Sequence, residues 1–142
     1  VEGTVSVEGP LPLTTHVRLR DLIVAPVDPS DTTRLVDAGT IDAGGFGHVT
    51  LSLLGTTKGE VGRSGTVGAF LVPDVETAVQ AFHERGETLF ALRVEAVGVS
   101  AGSPYFASTQ PRFQLGFPRY RVLLFNTSDK TVDAELHAYL SP

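Results

Sequence analysis

Cysteine, methionine and tryptophan are all absent from this chain of 142 residues. Without cysteine there can be no disulfide and no thiolate metal site, and the redox compartment is left open. Lysine is scarce: Arg outnumbers it nine to two, a bias that suits a GC-rich bacterial or phage genome. No Lys/Arg block occurs and the net charge is −5. A nucleic-acid ligand needs its phosphates neutralised, so nucleic acid is not expected as a partner. No apolar run approaches the ~20 residues of a membrane helix, so no membrane insertion is expected. The sequence opens at Val1 with neither methionine nor a signal-like stretch, which we read as loss of an initiator Met or processing of a longer precursor.

What is present is a globular balance, with 42% hydrophobic and 19% charged residues on a length that suits one domain. Fifteen Gly and nine Pro are spread as punctuation between short apolar runs. That texture predicts many short strands and few helices. In "TVDAELHAYL" (131–140), Val132, Ala134, Leu136, Ala138 and Leu140 alternate with Asp133, Glu135, His137 and Tyr139, the mark of a strand buried on one face. "YRVLLFN" (120–126) is apolar on both faces and is expected to lie centrally, forming a hairpin with 131–140 through "NTSDKT". Further strands are expected at 16–24, 48–54, 66–72 and 88–97, with short ones at "TRLVDAG" and "GTIDAG".

One segment, "VPDVETAVQAFHERGE", has helical spacing. Val75, Ala78, Val79 and Phe82 fall at i, i+3, i+4 and i+7, Asp74 can cap the start, and Gly86 can end it. The reading is therefore all-β: a single-domain β-sandwich, jelly-roll-like, with one inserted surface helix at about 74–85. Residues 1–15 form an extended arm or edge strand and residues 16–142 the sandwich.

Gly98-Val99-Ser100-Ala101-Gly102 spells G-x-S-x-G, and Asp129, Asp133 and His137 follow in the chain order of a hydrolase triad. The elbow needs a helix directly after its serine, whereas here Ser103-Pro104-Tyr105-Phe106 follows. Pro104 removes an N–H and turns Ser103 away from helical dihedrals, so Ser100 reads as a loop residue. Asp133, Glu135 and His137 share a strand face but offer one imidazole among them, which suits a solvated face better than a metal site. His16, His48 and His83 stand in no ligand spacing. The Gly-rich stretches 42–48 and 55–65 do not follow P-loop order and lead into no helix, so Lys58 and Arg63 are expected in solvent. Asn126-Thr127-Ser128 is a glycosylation acceptor pattern only in a eukaryotic secretory setting. No catalytic residue, cofactor or metal is assigned.

The segments that point outward are 108–122 and the N-terminus. "STQPRFQLGFPRYRV" interleaves Phe113, Phe117 and Tyr120 with Arg112, Arg119 and Arg121. Aromatics and Arg are the residue types that dominate interface hot spots. Pro10 and Pro12 keep "VEGTVSVEGPLPLTT" out of any central strand and suit an arm that adds to a neighbour. The expected interface residues are Arg112, Phe113, Phe117, Arg119, Tyr120, Pro10 and Pro12. The expected function is a non-enzymatic structural subunit of a repetitive assembly, with copies of itself or other structural subunits as partners. A virion component (capsid decoration or tail protein) comes first, and the virion or an extracellular surface is the favoured location. A bacterial surface filament subunit and a carbohydrate- or ligand-binding jelly-roll module are the alternatives.

Overall fold

The computed structural model describes residues 14–58, 61–86, 91–99 and 104–142. In chain order the strands are β1 (Thr15–Val24), β2 (Val36–Asp42), β3 (His48–Thr57), β4 (Gly65–Pro73), β5 (Leu92–Val99), β6 (Tyr105–Ala107), β7 (Arg112–Gln114), β8 (Arg119–Asn126) and β9 (Val132–Ser141). A helix, α1 (Glu76–Arg85), lies between β4 and β5, and a short 3-10 turn (Thr32–Arg34) precedes β2. One sheet runs β1-β9-β3, with β6 and β7 following one another along the far edge of β3. The other runs β2-β8-β4-β5. All pairings are antiparallel. Apart from β6 to β7, only the β4–β5 connection, which carries the helix, stays within a sheet. Counting β6 and β7 as one interrupted strand, this is the eight-strand order of a jelly roll.

Hydrophobic patterning explains the layers. Every second residue of β9 from Val132 to Leu140 is buried, and Val49, Leu51 and Leu53 of β3 join them. They meet Val67, Ala69 and Leu71 of β4 and Tyr120, Val122 and Leu124 of β8 across the sandwich. The opposite faces of β4 and β8 are apolar too, and α1 covers them: Phe70, Val72, Leu123 and Phe125 form a second cluster with Ala78 and Phe82. Phe70 meets Phe82 edge-on at 5.2 Å between centroids. The Arg93 guanidinium lies over the rings of Phe70 and Phe125 at 5.2 and 5.0 Å. Gly68 has no side chain where the Phe125 ring sits, so a Cβ there would collide with it.

Four expectations need correction. First, 120–126 and 131–140 do not form a hairpin, because β8 and β9 belong to different sheets. A strand buried on both faces must stand between two neighbours under the helix, whereas β9 has one polar face and must turn it outward. The "NTSDKT" turn does bond its own backbone: Asn126 Oδ1 accepts from Ser128 N–H (3.0 Å), and its Nδ2 donates to Lys130 O (2.6 Å) and to Val24 O of the facing sheet (3.1 Å). Second, the two short strands expected within 33–44 are one, β2, with a register shift between Asp37 and Gly39. Gly39 takes φ +101° there and its N–H donates to Asp37 Oδ1. Third, α1 starts at Glu76 and Asp74 makes no cap; its carboxylate is bound by Arg121 at 3.2 Å instead. Fourth, Val75 is not inward but 44% exposed, since it precedes the helix and escapes its phase. Gly86 does end the helix, at φ +78° with its N–H on Phe82 O.

Phe82 is fully buried against Phe70. Phe82→Ala is expected to cost ~3–5 kcal/mol in urea unfolding, while Glu84→Ala and Val75→Ala stay within about 0.5 kcal/mol. Equal costs would show that the helix packs on another face.

Candidate functional site

Residues 108–122 are stitched along the outer edge of β3 before entering β8. Ser108 N–H donates to Leu53 O at 2.7 Å, its hydroxyl accepts from Leu53 N–H at 2.9 Å, and Pro111 O accepts from Leu51 N–H at 2.9 Å. Strand alternation then divides the side chains. Phe113 turns inward against the core, and Tyr120 is 2% exposed, its hydroxyl accepting from Gly116 N–H at 3.0 Å. Tyr120 therefore props the 115–118 turn from beneath and does not reach the surface. Phe117, 36% exposed, stands edge-on to it at 6.3 Å. Arg119 is exposed two positions after Phe117, and Arg112 is exposed on the outer face of the first sheet, opposite Thr50. Pro10 and Pro12 lie outside the described residues.

Backbone hydrogen bonds gather several connections at one end of the sandwich. Ala43 N–H reaches Pro118 O (2.7 Å), Leu115 N–H reaches Gly47 O (2.7 Å), Gly47 N–H reaches Ser141 O (2.9 Å) and Asp74 N–H reaches Arg119 O (2.9 Å). Thr15, the first residue of β1, pairs with Leu140 at this same end. The root of the N-terminal segment and the 115–118 turn thus share one end. Three strand spacings across the first sheet, roughly 14 Å, separate β1 from β7. Among the described residues, Phe117 and Val75 are exposed large apolar side chains near that end.

The outer face of the first sheet carries a polar row that sequence spacing did not show. His16 Nε2 lies 2.7 Å from His137 Nδ1. Glu135 Oε2 is 3.5 Å from His137 Nε2 and accepts from Arg18 Nε and an Arg18 terminal nitrogen at 3.1 and 3.0 Å. The Arg18 hydrogen bond holds the Glu135 carboxyl below the usual carboxylate range. The strand register brings them together by pairing Tyr139 with His16 and His137 with Arg18. The one signal in the sequence is that H-x-R-x-R of β1 complements D-x-E-x-H of β9. Among the described residues no three His, Asp or Glu side chains converge as metal ligands.

The remaining motifs have plain places. Ser100 lies outside the described residues; β5 ends at Val99 and β6 begins at Tyr105. In the Gly-rich stretch 55–65, Lys58 and Arg63 are exposed. Gly62 N–H is taken by Asp129 at 3.0 Å. The Arg63 and Gly62 amides hold that carboxyl below its usual range, the Arg63 amide most. Donors that a phosphate would need are engaged by the chain's own carboxylate.

No family model and no curated protein matches the chain. Among solved structures it is similar to the capsid of Helicobacter pylori bacteriophage KHP30, at 13% identity and a TM-score of 0.38 over 92% of this chain and 85% of that one. It is also similar to CBM35 from Cellvibrio japonicus Abf62, at 14% identity and 0.42 over 87% and 92%. A third is VP2 of the infectious bursal disease virus subviral particle, at 9% and 0.46 over 90% of this chain but 32% of that one. These scores are low, and the jelly-roll assignment rests on the strand order itself.

Glu135 gives the polar row a defined pH response. Its carboxyl is depressed in the folded chain, so its contribution is present above the unfolded carboxylate range and is lost as pH falls through the folded value. Glu135→Gln is expected to lower stability at pH 7 by less than about 1 kcal/mol, the scale of a partly exposed pair. The difference from wild type should close as pH drops below ~4. Denaturant melts at both pH values check this, and a gap that widens in acid would contradict it.

Proposed function

We propose that this chain is a non-enzymatic structural subunit of a repetitive assembly, and within that class a virion component such as a bacteriophage capsid decoration or tail protein. The observation that carries the reading is the convergence at one end of the sandwich. There the root of the proline-bearing N-terminal segment, the 115–118 turn with Phe117 and the adjoining Arg119, and exposed Val75 share one end, spread across the sheet. A half-exposed aromatic held edge-on by a buried Tyr120 is a preorganised contact, and exposed Arg119, two positions on, is of the type that anchors interfaces. Jelly rolls recur in viral capsids and in lectins, so the fold is compatible with the reading but does not select it. Its partners are copies of itself or other subunits of the assembly, and the virion or an extracellular surface is its place.

A carbohydrate-binding module is the second reading, favoured by Tyr139. That ring is 49% exposed above an open groove of about 400 Å³ lined also by His16, Thr50, Ser52, Gln110 and His137. Tyr139→Ala abolishing retention on a glycan array, with no change in mass, would favour it over assembly.

Phe117→Ala and Arg119→Ala should each weaken association by roughly 1–4 kcal/mol while leaving the melting temperature close to wild type. Removing residues 1–12 should leave a folded chain that no longer assembles, since β1 begins at Thr15. Light scattering beside thermal melts separates the outcomes: variants that associate normally would contradict the reading. The same proposal requires that Ser100 is no nucleophile. A fluorophosphonate probe should leave the protein unlabelled, and stoichiometric labelling at Ser100 would overturn that part.

A further inference from the structure

The His16–His137 contact has the geometry of an in-line hydrogen bond. The ring planes differ by 12° and the centroids are 4.9 Å apart. The 2.7 Å nitrogen-to-nitrogen gap plus the two ring radii accounts for nearly all of that separation, so the rings meet edge to edge in one plane. Such a bond needs one proton and one lone pair. The Glu135 carboxylate beside His137 Nε2 favours a proton there, which leaves Nδ1 as the acceptor and His16 Nε2–H as the donor. Arg18 in turn fixes Glu135 through two nitrogens. Four side chains from two strands form one chain across the seam: His16, His137, Glu135, Arg18.

The seam matters because, among the described residues, β1 is an edge strand and β9 is its strand partner. A register shift between Ala134 and Leu136, with Asp21 at φ +56°, divides the pairing. The four side chains lie over its N-terminal half, where residues 15–19 pair with 136–140. The other groups facing the pair, Thr50 and Ser52 of β3, Gln110 and Tyr139, supply no carboxylate. Arg20 and Asp133 lie beyond Glu135, in the shallow cavity that Arg18 and Asp21 also line. Glu135 is thus the carboxylate that balances the two rings.

We propose that this row is an acid-released clasp on the N-terminal half of β1. With a single proton between the facing nitrogens it holds. With both rings protonated, two N–H donors and two positive charges face each other beside Arg18, and the bond is lost. The N-terminal half of β1 is then held by its backbone pairing, the Arg18–Glu135 pair and the packing of Val17 and Leu19 on the core, without the imidazole bond. The inference concerns the folded chain and stands whether or not the chain assembles.

Amide hydrogen exchange from pH 8 to pH 5, corrected for the chemical exchange rate, tests it, with residues 49–53 of β3 as internal reference. Protection at residues 15–19 should fall roughly five- to tenfold relative to that reference, the equivalent of one hydrogen bond. His16→Gln and His137→Gln should both remove the pH dependence. Nitrogen NMR should show a coupling between His16 Nε2 and His137 Nδ1 at neutral pH that vanishes in acid. Protection at 15–19 that tracks β3 throughout, or variants that respond to pH like wild type, would overturn the clasp, as would the lack of a neutral-pH coupling.

Discussion

Leu123 and Phe125 on one face of β8, and Tyr120, Val122 and Leu124 on the other, must all leave water at once. No two-layer sandwich satisfies a strand of that kind, because one of its faces would stay wet. The chain meets the constraint by making the β4–β5 connection a helix. Ala78 and Phe82 of α1 close over Phe70, Val72, Leu123 and Phe125, while the first sheet covers the opposite face. The rest of the topology follows. With β8 and β4 central in one sheet, β9 and β3, each with a single apolar face, fill the centre of the other.

Polar groups then fix what burial alone leaves free. Asn126 is fully buried at the end of β8, and its amide ties that strand to Val24 and to the turn entering β9. That junction joins the two sheets where the hydrophobic pattern is indifferent to partner. Edge strands β1 and β2 each carry a register shift and a positive φ, at Asp21 and Gly39, which disfavours open-ended pairing along those edges.

How much of this was legible follows from what each signal encodes. Alternation in 131–140 reported the buried face of β9 correctly, and two-sided hydrophobicity reported that 120–126 is central. Neither reports a partner, which is why the two read as a hairpin while the structure separates them into facing sheets. The helix was visible in the spacing of Ala78 and Phe82. Its start was not, because Asp74 serves either as a cap or as a partner for Arg121, and only three-dimensional proximity decides. Within 108–122, composition pointed to a contact segment. Strand phase sends Tyr120 and Phe113 inward and leaves Arg112, Phe117 and Arg119 at the surface. The His16–His137 pair is 121 positions apart in sequence, and the complementary patterns of β1 and β9 hint at it only once the register is known.

If the helix-covered jelly roll acts, as proposed, by associating with copies of itself, the wild-type chain forms a trimer or a larger closed assembly at high concentration. Sedimentation velocity over a wide concentration range reads this. A monomer at every concentration, with no sign of association, would contradict it.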